Sequence, residues 1–338
     1  MKIAVDAMGG DFAPATIIDG AIRALQEEND MSVYLLGDAI QIKKELKKIN
    51  YNWPNLTIIP TTEIVHMEDT PSQVFKKKPD SSIVVGIRMV KEGRCDAFVS
   101  AGSTGAILST ALLLLGRIKG VLRPALGVFF PVKPTGILLC DVGANVDVKP
   151  DHLVQFAIMA SEYMKHIQGV KNPIVGLLNI GIEPNKGQDV YIKAHQLLTD
   201  NLPSFIGNIE ARYLLDGKAD VIICDGFIGN ILVKFAEGWI NHVNYEILRE
   251  LMKKTSLESD RTLITNIFSE VIREYDYEEY GGVPLLGING VCIICHGSSG
   301  PRAIKNAILA AKKSVEESLV DAIRDDISFN LTATETLI

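Results

Sequence analysis

The chain has 338 residues, of which 47% are hydrophobic and 22% are charged, so it has ample apolar material for a large globular core. Its formal net charge of −7 argues against general nucleic-acid binding, because nucleic acids require a basic face. No run reaches the roughly 18 to 20 apolar residues that cross a bilayer, and the first residues enter a strand pattern rather than a signal peptide. We therefore expect a cytoplasmic protein in which any membrane contact is peripheral.

Short β-branched runs alternate with helical patterns along the chain. Several runs are continuously apolar, which is typical of strands covered on both faces. Strands that alternate with helices form a mostly parallel sheet with helices on both sides, so the sequence predicts a single domain over residues 1–338 with a three-layer α/β/α, Rossmann-like fold. The predicted strands are Lys2–Asp6, Ser32–Gly37, Leu56–Pro60, Ala97–Ser100, Ala125–Phe130, Gly136–Asp141, Ile174–Asn179, Ser204–Ile206, Asp220–Cys224 and Val291–Cys295, and predicted helices include Ala15–Glu28, Leu153–Lys165 and Val190–Leu198.

The segment at about 235–277 breaks this alternation, because it has two helical patterns and no strand. Apolar residues recur every four positions from Phe235 to Leu251 and again from Leu263 to Tyr275, on either side of a polar turn at 253–260. This spacing predicts a protruding helical hairpin with one apolar stripe on each helix. Two interpretations stay open: the stripes pack on their own domain, or they pair with a second subunit.

Six polar, glycine-containing loops follow predicted strands and hold the candidate site residues. In an open parallel sheet, ligands bind beyond the carboxyl ends of the strands, so we expect the six loops to lie together at one edge. The first loop follows the first strand and contributes Asp6, Gly9, Gly10 and Asp11 as candidate ligand-binding residues. An ordinary tight turn with an N-cap is the alternative for this loop.

The second loop, at 100–106, has almost no side-chain bulk. Its candidates Gly102, Ser103, Thr104 and Gly105 expose backbone N–H groups at the positive end of a predicted helix, where a protein can bind phosphate without a Walker lysine. An ordinary Ser/Thr N-cap is the alternative. We interpret this loop as an anion site.

The other four loops add pairs of polar side chains. Lys186 supplies charge for a phosphate or an oxyanion, unless it only forms a surface ion pair; the carboxamide of Asn145 orients a ligand or belongs to an Asx-turn. A histidine at a strand end beside a Gly-Ser-Ser loop favours a catalytic role for His296. The four pairs are Asp141 and Asn145, Glu183 and Lys186, Asp225 and Asn230, and His296 and Ser298.

Several common motifs are absent from the sequence. There is no GxxxxGK[ST] for ATP, no GxGxxG after the first strand for NAD, and no G-x-S-x-G nucleophile elbow. The five cysteines are expected to be buried thiols rather than catalytic groups, since one CxxC without further ligands does not make a zinc site. We predict neither a metal nor a cofactor. The cysteines are Cys95, Cys140, Cys224, Cys292 and Cys295.

These loops, in this order, resemble the phosphate acyltransferase (PlsX) family of bacterial glycerolipid synthesis. The match runs nearly end to end, over 3–11, 100–106, 116–127, 141–159, 175–187, 205–215, 219–230, 280–287 and 296–299. The resemblance implies transfer of a long-chain fatty acyl group from acyl carrier protein to inorganic phosphate. The product, an acyl phosphate, serves phosphatidic acid and phospholipid synthesis. The implied fold is like that of phosphate acetyltransferases and β-decarboxylating dehydrogenases such as isocitrate dehydrogenase.

The resemblance also implies partners and places. It implies a homodimer with the hairpin near its interface, peripheral membrane association, and a membrane acyltransferase that acts on the acyl phosphate. The polar tip of the hairpin departs from the apolar tips of the family, which weakens the expectation of direct membrane contact. Ser103 stands where the family pattern suggests Asn, and it keeps a hydrogen-bonding group.

Within this reaction the candidates take specific roles. Phosphate is itself the nucleophile, so the protein needs only to position it and to stabilise the oxyanion. We expect the loop at Gly102–Gly105 to hold phosphate, Lys186 to offset charge, Asn230 to donate to the carbonyl oxygen and His296 to assist proton movement. The acidic carrier protein requires a basic patch, for which the candidates are Arg117, Lys119 and Arg123, or alternatively Lys76–Lys78.

Three other functions remain as alternatives. A phosphate acyltransferase that uses acyl-CoA differs only in the donor, which the residues do not distinguish. An NAD(P)-dependent decarboxylating dehydrogenase requires a carboxylate cluster for metal and a basic clamp, and the strand-end loops offer neither. A non-enzymatic binder of acyl groups or phosphate would not depend on Lys186 for catalysis.

Overall fold

The computed structural model describes residues 1–49, 54–132, 135–255, 257, 260–267 and 281–335. Strands and helices alternate along the chain as predicted. The first five predicted strands have the observed bounds, and the other five differ from the observed strands by at most one residue at each end, except that the eighth strand continues four residues beyond the predicted Ile206. The strands are β1 (Lys2–Asp6), β2 (Ser32–Gly37), β3 (Leu56–Pro60), β4 (Ala97–Ser100), β5 (Ala125–Phe130), β6 (Ile137–Cys140), β7 (Val175–Asn179), β8 (Phe205–Glu210), β9 (Val221–Ile223), β10 (Val283–Leu286) and β11 (Val291–Ile294). The helices are α1 (Ala15–Glu27), α2 (Ala39–Lys48), α3 (Pro71–Lys77), α4 (Ser82–Lys91), α5 (Thr104–Leu114), α6 (Pro150–His166), α7 (Asp189–Asn201), α8 (Gly226–Lys254), α9 (Pro301–Glu316) and α10 (Leu319–Glu335), with a 3₁₀ turn at Ala211–Asp216.

These strands form one sheet in the order β3-β2-β1-β4-β11-β10-β5-β6-β9-β7-β8. Pairing is parallel in the two outer parts of the sheet. One part consists of β3, β2, β1, β4 and β11, and the other of β6, β9, β7 and β8. In the middle, β10 is antiparallel to β11 and β5, and β5 is antiparallel to β6. These three antiparallel pairings reverse the direction of the sheet, so β6, β7, β8 and β9 run opposite to β1 and its neighbours.

This reversal shows that one expectation was wrong: the six candidate loops do not lie at one edge. The loops after β1, β4 and β11 leave one edge, and the loops after β6, β7 and β9 leave the opposite edge. The sequence could not reveal this, because an apolar strand has no mark of its direction relative to strands far away in the chain. Sheets twist by about 20–25° per strand, which amounts to about 80–100° over the four steps from β4 to β6, so the two edges are not expected to point directly away from each other.

The core lies on both faces of the sheet, because alternate residues of a strand point to opposite sides. Ile3 and Val5 of β1 join one apolar cluster, and Ala4 between them joins another. In β6, Leu138 and Leu139 divide in the same way. Each of these five side chains is buried. The predicted three-layer α/β/α fold is therefore confirmed.

Strand β10 was missed by the sequence analysis. It has only four residues and includes Pro284, which lacks the N–H that a strand ladder uses. Gly281 and Gly282 precede it with φ of +69° and +85°, values that favour glycine and indicate a turn. Pairing with β11 and β5 determines its conformation, so only long-range contacts could reveal it.

The first arm of the predicted hairpin is α8, which begins at Gly226 rather than at Phe235. Its apolar stripe is uncovered, since the exposed fractions of Phe235 and Trp239 are 64% and 57%, and their rings stack with centroids 6.2 Å apart. Residues 260–267 are helical and begin the second arm, whereas the predicted 268–277 lies outside the described residues. No helix in the described part of the chain is long and apolar enough to span a membrane.

Candidate active site

Three loops at one edge of the sheet form the first loop cluster: 6–11, 100–106 and 296–300. They touch through their backbones. The Asp11 N–H donates to the carbonyl of Gly297 over 2.8 Å. A Cβ added at Gly9 would lie 2.4 Å from Asp6 Oδ2 and 2.6 Å from Gly102 N, so only glycine allows the first two loops to approach this closely. The structure thus brings Asp6, Gly9, Gly10 and Asp11 together with the predicted phosphate loop.

The side chain of Asp6 organises this cluster from inside rather than facing solvent. It is 1% exposed, accepts from the amides of Met8 and Gly9, and accepts from the Ser100 hydroxyl over 2.6 Å. Burial raises the pKa of Asp6, and these hydrogen bonds partly oppose the increase. The Ser100 hydroxyl also accepts from the Gly102 amide, so one buried carboxyl holds two loops in register.

The loop at 100–106 leaves backbone donors open at the start of α5. The Ser103 hydroxyl caps the helix by accepting from the Ala106 amide over 3.4 Å. The amides of Ser103, Thr104 and Gly105 find no acceptor among the described residues, and the Thr104 side chain is exposed. Such N–H groups at the positive end of a helix dipole favour a bound anion. The cap interpretation therefore applies to the Ser103 hydroxyl, whereas the anion site at the three open amides stays a prediction.

The loops at 141–147, 179–187 and 225–230 form the second loop cluster. Asp141 is fully buried and accepts from the Leu126 amide, the Asn145 amide and the Asn145 side chain over 2.7 to 3.0 Å. Burial raises the pKa of Asp141 against these hydrogen bonds. A Cβ at Gly229 would lie 2.0 Å from the Asp141 carbonyl oxygen, so only glycine at this position allows α8 to pack this closely against the loop.

Asp225 and Asn145 have structural contacts as well. Asp225 caps α8 by accepting from the Ile228 amide, and Tyr191 of α7 donates its hydroxyl to the same carboxylate over 2.5 Å. Asn145 donates to the Pro124 carbonyl over 2.7 Å. We therefore find that Asp141, Asn145 and Asp225 hold loops in place, and that their predicted contact with substrate stays a prediction.

Lys186 and Asn230 have the opposite character, because both side chains are exposed. A Cβ at Gly181 would lie 2.9 Å from Glu183 Oε2 and 3.2 Å from Lys186 Cγ, so both side chains fold over this glycine. They form no ion pair with each other, and the Lys186 ammonium meets no carboxylate in the ranges that the structure describes. The Asn230 amide lies beside Gly143 and likewise has no protein partner there. Both groups are available to a ligand.

Helix α8 connects the two clusters. It begins in the second cluster at Asp225, and one turn after Asn230 it presents Lys234, whose Nζ lies 2.9 Å from Nε2 of His296 in the first cluster. His296 Nδ1 in turn lies 2.7 Å from the Ser298 hydroxyl. Lys234 is not among the residues predicted for the site; the signal for it in the sequence is its helical spacing of four residues from Asn230, which places both on one face of the helix.

The thiols do not contribute a nucleophile. All five cysteines are buried, as predicted. Burial raises the pKa of Cys292 and of Cys295 to about 12 and the pKa of Cys95 to about 11, and it also raises the pKa of Cys140 and of Cys224 well above the ordinary value of a thiol. Only a thiolate attacks a carbonyl, so these groups stay inert at neutral pH.

Comparison with known proteins identifies the family. The family described as "Fatty acid synthesis protein" matches residues 1–321. A phosphate acyltransferase of Halothermothrix orenii is 44% identical over 331 residues, which cover 97% of this chain and 99% of the relative. One of Heliobacterium modesticaldum is 45% identical over 328 residues, covering 97% and 98%. The chain belongs to the phosphate acyltransferase family. The predicted resemblance and the predicted enzyme class, an acyltransferase, are thereby confirmed.

Solved structures show that this family shares its fold with other proteins. A phosphotransacetylase of Streptococcus pyogenes superposes with a TM-score of 0.61 at 21% identity, covering 94% of each chain. EutD phosphotransacetylase of Staphylococcus aureus gives 0.60 at 18% identity, covering 93% of this chain and 94% of the other. A 4-hydroxythreonine-4-phosphate dehydrogenase of Klebsiella pneumoniae gives 0.53 at 11% identity, covering 93% and 98%. These likenesses support the predicted fold and carry no statement on substrates.

Proposed function

We propose that this member of the phosphate acyltransferase family moves a long-chain fatty acyl group from acyl carrier protein to inorganic phosphate, giving acyl phosphate for phospholipid synthesis. The observation that supports this most is the set of open amides at 103–105, next to a loop with almost no side chains. Such a site accepts a small, compact anion. Acyl-CoA as the donor is the alternative.

The reaction then needs no covalent enzyme intermediate. An oxygen of hydrogen phosphate attacks the thioester carbonyl carbon and a C–O bond forms. The C–S bond breaks, and the proton of the phosphate ends on the departing sulfur, which leaves acyl phosphate and a free thiol. Holding both reactants in contact contributes up to about 7 to 11 kcal/mol to such a step.

The second loop cluster supplies the side chains for this step. Lys186 has an exposed ammonium with no carboxylate partner in the described ranges, so it offsets the charge of the phosphate or of the tetrahedral intermediate. Asn230 donates its free amide to the carbonyl oxygen. His296, which lies in the first cluster, assists proton movement. Asp11 and Thr104 of the first cluster also have exposed side chains.

A basic loop beside the second cluster fits the acidic carrier protein. Arg117, Lys119 and Arg123 are exposed in the segment that leads to β5. Gln155 of α6 clamps this segment, because it accepts from the Leu122 amide over 2.8 Å and donates to the Gly120 carbonyl over 2.9 Å. The segment continues to Pro124, whose carbonyl binds Asn145, so a docked carrier would lie close to the site. By contrast, Lys78 of the alternative patch is already paired with Asp69 over 2.5 Å.

The docking role predicts a selective defect. Lys119→Glu with Arg123→Glu should raise the apparent KM for acyl carrier protein substrate about tenfold and reduce its salt sensitivity, with KM for phosphate unchanged. Lys43→Glu with Lys44→Glu, on exposed positions of α2 at the far side of the sheet, is the matched control for charge. Equal KM values for the two double variants would move docking elsewhere, and Lys76→Glu with Lys77→Glu would then test the other patch.

The uncovered stripe of α8 supports a homodimer. The polar residues predicted for the tip of the hairpin support at most a peripheral membrane contact. The enzyme that consumes the acyl phosphate would then be a membrane acyltransferase. Analytical ultracentrifugation of the wild-type chain tests the dimer, since a sedimenting monomer at micromolar concentration would contradict it. Flotation with anionic liposomes tests membrane contact, and a protein that stays at the bottom of the gradient would remove it.

A mass-balance assay tests the reaction itself. Purified protein is incubated with inorganic phosphate and either palmitoyl-acyl carrier protein or palmitoyl-CoA, and acyl phosphate and free thiol are both quantified. We expect equal amounts of both products with the carrier substrate and a much lower rate with CoA. A faster reaction with CoA would establish the alternative donor, and no acyl phosphate from either would overturn the proposed function.

A further inference from the structure

Lys234 is the residue that joins the two loop clusters, and its surroundings indicate a task. Its ammonium lies 2.9 Å from His296 Nε2 and 2.8 Å from Glu237 Oε2 on the next turn of α8. We propose that Lys234 is a positioning residue that acts through His296 to direct the Ser298 hydroxyl at the bound phosphate. This inference rests on the proposed function.

The direction of the hydrogen bonds follows from what each group can donate. An ammonium has three donors and no acceptor, so His296 Nε2 accepts from Lys234. Because Nε2 accepts, the ring hydrogen lies on Nδ1, which donates to the Ser298 hydroxyl oxygen over 2.7 Å. The Ser298 amide, 3.3 Å from the same nitrogen, fits only the other tautomer and is the weaker contact. Lys234 therefore selects the tautomer of His296.

The hydroxyl at the end of this relay must donate away from the histidine. Because its oxygen already accepts from Nδ1, the Ser298 hydrogen points elsewhere, and among the described residues it meets no acceptor. Ser298 lies in the first loop cluster, where Gly297 contacts Asp11 and where the open amides of 103–105 also lie. Hydrogen bonds in a chain polarise one another, so the ammonium strengthens the hydroxyl as a donor to an anion.

The pair with Glu237 alone does not explain this arrangement. Lys234 and Glu237 are partly exposed, at 51% and 31%, and exposed helix pairs of this kind contribute little to stability. The same helix has such a pair without a histidine: Lys253 Nζ lies 2.9 Å from Glu250 Oε1, three positions before it. This second pair is a matched control on the same helix.

The first experiment compares Lys234→Met with Lys253→Met in the phosphate-dependent assay. Lys234→Met should raise KM for inorganic phosphate about tenfold, because a hydrogen bond to the anion loses its orientation, and should change KM for the thioester by less than twofold. Lys234→Arg should restore most of the loss, and Lys253→Met should behave as wild type. A phosphate KM in Lys234→Met equal to that of wild type would overturn the proposal.

A second measurement does not depend on turnover. Inorganic phosphate should raise the thermal unfolding midpoint of the wild type and of Lys253→Met. It should raise that of Lys234→Met much less, although the midpoint without phosphate stays close to that of the wild type. Equal protection in all three proteins would show that Lys234 has no part in phosphate binding.

The relay also predicts non-additive effects. If Lys234 acts through Ser298, the variant that combines Lys234→Met with Ser298→Ala should bind phosphate no more weakly than Ser298→Ala alone. If the double variant instead weakened phosphate binding by the product of the two single effects, the two residues would make separate contacts. These outcomes are distinct from failure of the proposed function, which would appear as absence of acyl phosphate with the wild-type protein.

Discussion

The two loop clusters offer different groups to a ligand. The first cluster consists of glycines, small residues and one buried carboxyl, and it offers backbone N–H groups to a ligand. The second cluster has its own buried carboxyl, Asp141, but it offers long side chains, Lys186 and Asn230. Backbone donors in a closely packed loop cannot move, whereas exposed side chains can follow a reacting group. We infer that the first cluster holds the phosphate and that the second follows the change in charge during transfer.

The largest effect should come from the side chains of the second cluster. Lys186→Ala and Asn230→Ala should each lower kcat about 100-fold or more, because each removes a charge or a donor that acts on the transition state. Neither should change the unfolding midpoint, since both side chains are exposed. Asn185→Ala, an exposed neighbour in the same loop, is the control. Turnover near that of the control would remove the two residues from the mechanism.

A backbone change in the first cluster should have a mixed effect. Gly9→Ala places a methyl group 2.4 Å from Asp6 Oδ2 and 2.6 Å from Gly102 N, so the loops must separate. We expect a loss of about 1–3 kcal/mol in the free energy of unfolding and a higher KM for phosphate. Gly238→Ala, in α8 with no atom within 4 Å of the added methyl, should instead stabilise by up to about 1 kcal/mol. Urea unfolding measures the stability of both variants. A Gly9→Ala variant as stable as Gly238→Ala would show that the loops are not in contact.

The smallest effect should be the pH dependence of stability that Asp6 contributes. Burial raises its pKa, so the folded protein binds this proton more tightly than the unfolded chain does. Stability from this group is therefore present below the ordinary pKa of an aspartate and is lost as pH rises through the higher folded value. Asp6→Asn cannot ionise and should remove that loss, so that the free energy of unfolding at neutral pH rises by about 1 kcal/mol. Parallel curves of unfolding free energy against pH for both proteins would contradict this role.

Much of the site was accessible from the sequence, but the roles of its residues were not. The strand–glycine-loop–helix pattern located all six loops, and the open amides of 103–105 agree with the expected anion site. From the sequence, Asp6, Asp141 and Asp225 are predicted to bind substrate and Lys186 is predicted to offset charge, with no indication of which side chains are buried. The structure distinguishes them by burial, because the three aspartates accept several protein donors while Lys186 faces solvent. Burial depends on what packs over a residue, which its neighbours in sequence do not specify.

The amino-acid sequence by itself determined the α/β alternation, the family, and the small-residue loops, because these depend on residues close together in the chain. Only the tertiary structure decided that β10, β5 and β6 reverse the sheet and place the loops in two clusters. It also decided that α8 brings Lys234 to His296, 62 positions away. Strand direction and contacts between distant segments depend on how whole elements pack, and no local pattern of apolar and polar residues encodes that choice.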